Sequence, residues 1–357
     1  MAGGRRRSGG SRSTGGPAAS GGGHRVNLTR NRPNTGTRIT GLGAYRPERI
    51  VTNEEICRRI DSSEEWIQER SGIESRRAAA PDESIIDMAE IAAGQALSEA
   101  GLRGNEIDVV LVATISHMFQ TPAAAPTLAH RLDATPAPAM DLSAACAGFC
   151  YGIGMAKDLI TAGSAGAVLV VGVEKMTDLI DPDNRSLAFL FGDGAGAAVV
   201  SASDRTGIGP TVWGSDGAAS DFITQSDPWT VLRENPELTW PTVTMAGQRV
   251  FRWAVWQMAP VARKAVEAAG IGLEDLAAFV PHQANIRIVD AMAKQLQLPE
   301  HVAVARDIVT TGNTSSASVP IALQRMRQQD PSLSGKPALL IGFGAGLAYG
   351  AQVVEIP

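Results

Sequence analysis

Apolar and polar positions divide the chain near residue 36. Before that point no apolar run occurs, whereas beyond it short runs of strand length alternate with stretches of helical period. Residues 107–114 (Ile-Asp-Val-Val-Leu-Val-Ala-Thr), 167–173 and 338–343 are near-continuous apolar runs, the pattern of strands covered on both faces. Residues 38–45, 194–201, 277–281, 302–305 and 350–356 predict further strands, and one more leads into Cys146. Helices are predicted over 87–100 (closed by Gly101), 123–132, from Cys146 through Ile160, and over 251–270, 286–296 and 315–328. Thr52 and Asn53 cap a short helix, and Ser62 with Glu65 reads as a capping box for another over 64–70. Pro260 is expected to kink or split the helix that contains it.

Strand–helix alternation of this kind predicts an α/β fold. The two halves also echo each other. Val168-Leu169-Val170-Val171-Gly172 parallels Ala338-Leu339-Leu340-Ile341-Gly342, and Phe191-Gly192-Asp193-Gly194-Ala195-Gly196 parallels Gly342-Phe343-Gly344-Ala345-Gly346. The expectation is two duplicated βαβ-rich halves, 37–206 and 207–357, with a site between them.

Composition narrows the class. At 357 residues and 44% hydrophobic content the chain has ample length for a core, and 38 glycines with only 5% aromatics favour close strand–helix packing. Three cysteines (Cys57, Cys146, Cys150) make no disulfide framework and fit a reducing cytoplasm. No apolar stretch has transmembrane length, so no membrane role is expected. Residues 1–36 are rich in Gly, Ser and Arg and lack both acidic residues and a signal-peptide core. They read as a disordered extension. Arg5-Arg6-Arg7 is a basic cluster, but nucleic acid is not expected as a partner. Gly192-Asp193-Gly194-Ala195-Gly196 lacks dinucleotide-loop spacing and precedes a strand-like run, which excludes a Rossmann site. No cluster has metal-ligand spacing.

Three segments carry candidate chemistry. Cys146 sits between small residues in Ser143-Ala144-Ala145-Cys146-Ala147-Gly148-Phe149, where a strand gives way to a helix. A thiol there is approachable, and the helix start is expected to lower its pKa and to offer a backbone N–H to an oxyanion. Cys150, one turn on, reads as an inert core thiol. His282 follows a buried strand and precedes a helix, with His117 as its rival. Asn313, in Gly312-Asn313-Thr314-Ser315-Ser316, either caps its helix or donates to a developing negative charge. Together they suggest covalent acyl chemistry on a thiol with two polar helpers.

With these motifs, and with 191–198, Met245-Ala246-Gly247, Val250-Phe251, 281–288, 312–320 and Phe343-Gly344-Ala345-Gly346, the chain resembles the β-ketoacyl-acyl-carrier-protein synthase III family of the thiolase superfamily. The likeness spans about residues 37–357. It implies a thiolase-like fold in α-β-α-β-α layers and a decarboxylative condensation. Cys146 would take an acyl group from acyl-CoA, and the N–H groups of Cys146 and Ala345 would form an oxyanion hole. His282 and Asn313 would bind the malonyl thioester carbonyl and stabilise the enolate. No permanently bound cofactor is implied; acyl-CoA and a phosphopantetheine-linked malonyl group are substrates. Trp66 and Arg70 match the pair that brackets the adenine of CoA, and Arg185 a position on the CoA path. Gln283, Ala284, Asn285, Ile286 and Arg287 match the segment that meets acyl carrier protein. Phe119 matches the aromatic that caps the acyl pocket of a neighbouring subunit, which implies a homodimer.

Two departures accompany the resemblance. Ala345 stands where a third glycine often occurs, and residues 226–241 place Trp229 and Trp240 in a Pro-containing loop that either shapes or covers the acyl pocket. The absence of a second late cysteine argues against a thiolase. An asparagine at 313 argues against an elongating synthase and against simple acyl transfer to an alcohol or amine. Starter choice, and fatty-acid initiation against priming of an aromatic polyketide, are not set by the motifs.

Overall fold

A computed structural model describes residues 36–357. The expectation of a disordered basic extension falls on residues outside that range, apart from Gly36, which already belongs to the first strand. Two five-stranded sheets repeat one topology. In the first, the order is Gly36–Tyr45, Asp193–Ser203, Ala167–Lys175, Val109–Ala113, Ala139–Leu142; in the second it is Val212–Gly214, Ala348–Glu355, Pro337–Gly344, Ala278–Pro281, Ala303–Val304. Each central strand pairs antiparallel on one side and parallel on the other. The local echo read between 168–172 and 338–342 is therefore the match of the two central strands.

Sequence period explains the layering. All nine residues of Ala167–Lys175 are buried, because alternate side chains serve two cores. Val168 and Val170 face a core shared with Phe149, Ile153, Val280 and Leu340 of both halves, while Leu169, Val171 and Val173 face the alanine-rich helix Ile85–Ala100. Helices Gly148–Thr161 and Ser318–Gln329 touch both sheets and form the middle layer. Helix Ile85–Ala100 covers the first sheet, and Gly247–Ala268 with Ile286–Leu296 covers the second. The result is the α-β-α-β-α arrangement.

Some local expectations change. Ser63, not Ser62, caps helix Glu64–Ser71, its Oγ accepting from the Trp66 N–H at 3.2 Å. Pro260 does not split its helix, which runs unbroken from Gly247 to Ala268. Pro260 and Trp256, whose carbonyl loses its helical donor, both lie on the exposed face, where water can replace the missing bond. The first-half strand expected to end at Val173 continues through Glu174 to Lys175. Residues 226–241 contain a short helix, Trp229–Glu234, and sit beside the ribbon of Ile223–Gln225 and Val243–Met245.

Candidate active site

Cys146, His282 and Asn313 all line one cavity of about 640 Å³, together with Ala345. Each reaches it from a chain reversal at the end of a strand or short helix. Strand Ala139–Leu142 passes into helix Gly148–Thr161 through a single 3-10 turn, Ala145–Ala147, which carries Cys146. Ala145 takes φ 45°, a left-handed conformation that costs a non-glycine residue about 1–3 kcal/mol. The second half repeats this turn. Ser315 takes φ 47° at the head of the 3-10 turn Ser315–Ala317, which leads into Ser318–Gln329. Cys146 and Ser316 thus occupy equivalent places in the duplicated fold.

The space against the sulfur depends on Gly344. A Cβ there would lie 3.0 Å from Cys146 Sγ, Cβ and N, so a side chain would press on the thiol. Gly344 leads into the turn Ala345–Leu347, in which Leu347 has φ 44°. Three non-glycine residues in the left-handed region therefore surround the site. Residue type gives no warning of such strain at Ala, Ser or Leu.

The thiol is not acidified as its position at a helix start suggested. Burial pushes the Cys146 thiol up to about 12. The hydrogen bond to Ser315 acts in the opposite direction, and the nearby Glu174 carboxylate adds to the rise. A single 3-10 turn supplies less dipole than the low-dielectric surroundings remove. Cys146 rests as a protonated thiol, its Sγ 3.5 Å from Ser315 Oγ.

His282 follows strand Ala278–Pro281 and is 2% exposed. Its N–H donates to the Ile341 carbonyl at 2.7 Å, and its ring meets Phe343 edge-on at 5.3 Å. Nδ1 lies 2.7 Å from Ser318 Oγ, which also accepts from the Gln283 N–H at 3.4 Å. With that amide donating to Ser318, the serine proton is free to point at Nδ1, leaving a proton on Nε2. Burial lowers the His282 pKa to about 3, so the imidazole is neutral. The rival His117 also lines the cavity, but it is only partly buried and its Nε2 lies 3.2 Å from the Pro122 carbonyl.

Asn313 follows Gly312, whose φ of 73° and contact with Arg76 (a Cβ would lie 2.8 Å from Arg76 Cβ) require glycine. The Asn313 N–H donates to Leu190 at 2.9 Å, and its carbonyl accepts from Gly192 at 3.0 Å. Asn313 Oδ1 accepts from the Ser315 N–H at 2.9 Å. Asn313 does not cap a helix, since Thr314 and Ala317 hold the cap positions; its Oδ1 closes a tight turn onto Ser315, and the NH₂ is left for the cavity. In the Phe191-Gly192-Asp193 motif, Asp193 accepts from Ala79 and Thr177 and pins the start of a strand.

At the cavity mouth the Trp66 ring meets the guanidinium of Arg70 at 5.7 Å, that of Arg185 at 5.5 Å, and the edge of Phe189 at 5.4 Å. Neither arginine makes an ion pair among the described residues. The three positions are therefore brought together. Trp229 and Pro241 line the cavity, and Trp240 stacks 4.8 Å from Trp229, so the 226–241 segment shapes the pocket.

The 283–287 segment is less uniform than expected. Gln283 is 1% exposed, and its side chain bonds Pro281, Ala305 and Ile308, so it offers no surface to a protein partner. Ala284 is partly buried, and Ile286 packs where a Gly72 side chain would be. Asn285 caps helix Ile286–Leu296 and donates to the Arg70 carbonyl at 2.9 Å. Arg287 is exposed, with its guanidinium 5.6 Å from the Phe251 ring, and with Arg70 and Arg252 it lines a second depression beside the mouth. Phe119 is 70% exposed and does not line the cavity of its own chain.

Comparison with known proteins agrees with this geometry. Family models described as 3-oxoacyl-[acyl-carrier-protein (ACP)] synthase III and its C-terminal part match residues 140–217 and 266–356. The β-ketoacyl-[acyl-carrier-protein] synthase III of Kocuria rhizophila is 52% identical over 354 residues, covering 93% of this chain and 100% of that protein. A Streptomyces glaucescens protein of the same name is 52% identical over 320 residues, covering 90% and 96%. Among solved structures, the priming β-ketosynthase of the R1128 polyketide biosynthetic pathway superposes with a TM-score of 0.90 at 50% identity, covering 93% of this chain and 99% of that one. The 3-oxoacyl-[acyl-carrier-protein] synthase III of Aquifex aeolicus gives 0.83 at 36% identity, covering 90% and 100%. A duplicated layered fold, a strained cysteine turn and a shared cavity are thus accompanied by likeness along nearly the whole described chain: the protein belongs to the β-ketoacyl-acyl-carrier-protein (3-oxoacyl-acyl-carrier-protein) synthase III family.

Proposed function

We propose that the chain joins an acyl group carried by coenzyme A to a malonyl unit carried by acyl carrier protein, releasing CO₂ and 3-oxoacyl-acyl-carrier protein. The observation that carries this reading is the meeting of Cys146, His282 and Asn313 on one cavity whose mouth holds Trp66 and Arg70. Cys146 attacks the acyl thioester and becomes acylated as coenzyme A leaves. The N–H groups of Cys146 and Ala345 stabilise the oxyanion of the tetrahedral intermediate. After coenzyme A departs, Nε2–H of His282 and the Asn313 NH₂ donate to the malonyl thioester carbonyl. A neutral imidazole and a carboxamide suit this work, because the negative charge appears only as CO₂ leaves. The resulting carbanion attacks the acyl thioester and frees Cys146.

Trp66, Arg70 and Arg185 hold the adenine end of coenzyme A by stacking and cation–π contact. Arg287, with the exposed end of the 284–287 segment, receives the acidic carrier protein. Phe119, exposed and outside its own cavity, closes the acyl pocket of a second copy in a homodimer. The reaction needs no permanently bound cofactor, and it starts a fatty-acid or polyketide chain in the cytoplasm.

Acetyl-CoA and carboxyl-labelled malonyl-carrier protein test this directly. Labelled CO₂ should appear in step with coenzyme A, and Cys146→Ala should abolish both. Transfer of the acyl group to an alcohol or amine, with coenzyme A released and no CO₂, would overturn the condensation in favour of simple acyl transfer.

A further inference from the structure

Glu174, 0% exposed on the central strand of the first sheet, lies behind the cavity wall and is bonded to two residues that line it, Ile115 and Ser315. Oε2 accepts three of them, from Thr114 Oγ1 at 3.2 Å, the Ile115 N–H at 3.1 Å and Ser116 Oγ at 2.7 Å. Oε1 accepts one, from Ser315 Oγ at 3.1 Å. Ser315 Oγ in turn lies 3.5 Å from Cys146 Sγ. One oxygen is saturated with donors, so the other is where a proton is accommodated. A hydroxyl stands between that oxygen and the sulfur.

We propose that Ser315 and Glu174 form a proton relay for Cys146. As the sulfur attacks a thioester carbonyl, the S–H bond breaks and its proton passes to Ser315 Oγ. The proton of Ser315 moves to Glu174 Oε1, leaving the carboxyl neutral. The intermediate collapses by expelling the coenzyme A thiolate, which takes the electron pair of the broken C–S bond. Condensation later releases Cys146 as a thiolate, and the same three groups return the proton in reverse. The inference rests on Cys146 being the nucleophile, and it adds a proton-holding residue one hydroxyl removed from it.

Charge bookkeeping favours the relay. A thiolate beside an ionised, fully buried carboxylate would place two anions in one low-dielectric space. Moving the proton from one to the other keeps a single negative charge throughout. Burial raises the Glu174 pKa, which suits an acceptor. Among the described residues no cation from the surrounding elements is bonded to the Glu174 carboxylate. The Lys175 ammonium is turned to the carbonyls of Ala80, Pro81 and Glu83, Asp193 is held by Ala79 and Thr177, and Cys150 and His282 are uncharged. Arg325 is engaged by Asp307 and Arg327 by Glu99; Arg70 and His117 stand at the open end of the cavity.

Strain supports the placement too. Ser315 is held at φ 47° with its N–H on Asn313 Oδ1. One turn therefore fixes both the carboxamide that faces substrate and the hydroxyl that faces sulfur.

Alkylation of Cys146 by iodoacetamide in the full chain, followed at peptide level by mass spectrometry from pH 6 to 9, reads the relay without any acyl substrate. In the wild type the protonated thiol hands its proton through Ser315 to Glu174 as it attacks, without waiting for solvent to ionise it, so the rate should change less than about threefold across the range. Glu174→Gln removes the acceptor, and the rate should then rise about tenfold per pH unit, as for an isolated thiol. Ser315→Ala, which removes only the hydroxyl, should restore the same slope and lower the rate at pH 7 by about tenfold or more. Circular dichroism confirms that each variant is folded, and either variant suffices. A wild-type slope equal to that of the variants, or a flat profile retained in a folded variant, would overturn the relay. Neither result bears on whether Cys146 accepts an acyl group, which the acyl-CoA experiments decide separately.

Discussion

The Oδ1 atom of Asn313 accepts a hydrogen bond from the backbone N–H of Ser315 at 2.9 Å, and this single contact decides which end of the carboxamide faces the cavity. With the oxygen occupied, the NH₂ becomes a fixed donor. Asn313→Ala should therefore still take up an acyl group on Cys146 but lose malonyl decarboxylation by about 10²–10³-fold, the usual effect of deleting one oxyanion donor. Separate assays of acyl-enzyme and CO₂ check this. Equal loss of both steps would mean that Asn313 only holds the turn.

Trp66 is flanked by two guanidiniums that have no ion-pair partner among the described residues. Trp66→Ala should raise KM for acetyl-CoA about tenfold, in keeping with a desolvated stacking and cation–π site. A short acyl thioester that lacks the adenine should react with the variant as it does with the wild type. Steady-state kinetics with both donors make the comparison.

Arg287 stands exposed over Phe251 beside the mouth, at the head of helix Ile286–Leu296. Arg287→Glu should raise KM for malonyl-carrier protein about tenfold and flatten its dependence on salt, because a rim charge acts mainly through association. The reaction with acyl-CoA alone should not change. Kinetics at two ionic strengths check both statements.

Burial lowers the His282 pKa to about 3, below its ordinary 6.5. The unfolded chain then binds a proton that the folded chain refuses between those values. Stability contributed by the neutral folded state is complete above pH 6.5 and declines as pH falls toward 3. His282→Asn should show a shallower fall in urea-unfolding stability from pH 7 to pH 4.5 than the wild type. An unchanged slope would mean that other groups carry the acid sensitivity.

Much of the architecture was legible because apolar runs report burial on both faces. Residues 107–114 announced the strand Val109–Ala113, and the helix read over 286–296 matches Ile286–Leu296 at both ends. The strands Arg49–Thr52 and Ser75–Ala78, and the ribbon at the pocket rim, were not legible. They are three or four residues long and partly exposed, so no period stands out. The site was readable in its side chains and not in its backbone. Cys146, His282 and Asn313 were marked by type and context, whereas the left-handed Ala145, Ser315 and Leu347 follow from tertiary packing. Glu174 was missed for a similar reason: a charge at a strand end reads as solvated until its four donors are placed around it. The expected acidity of the thiol failed because a helix start is visible in sequence and the depth of burial is not.

The central claim is that one sulfur carries the acyl group. Mass spectrometry of the chain after incubation with acetyl-CoA, followed by peptide mapping, tests it most directly. The account predicts one acyl increment on the peptide containing Cys146, retained in Asn313→Ala and lost in Cys146→Ala. An increment on another residue, or one that survives in Cys146→Ala, would contradict it.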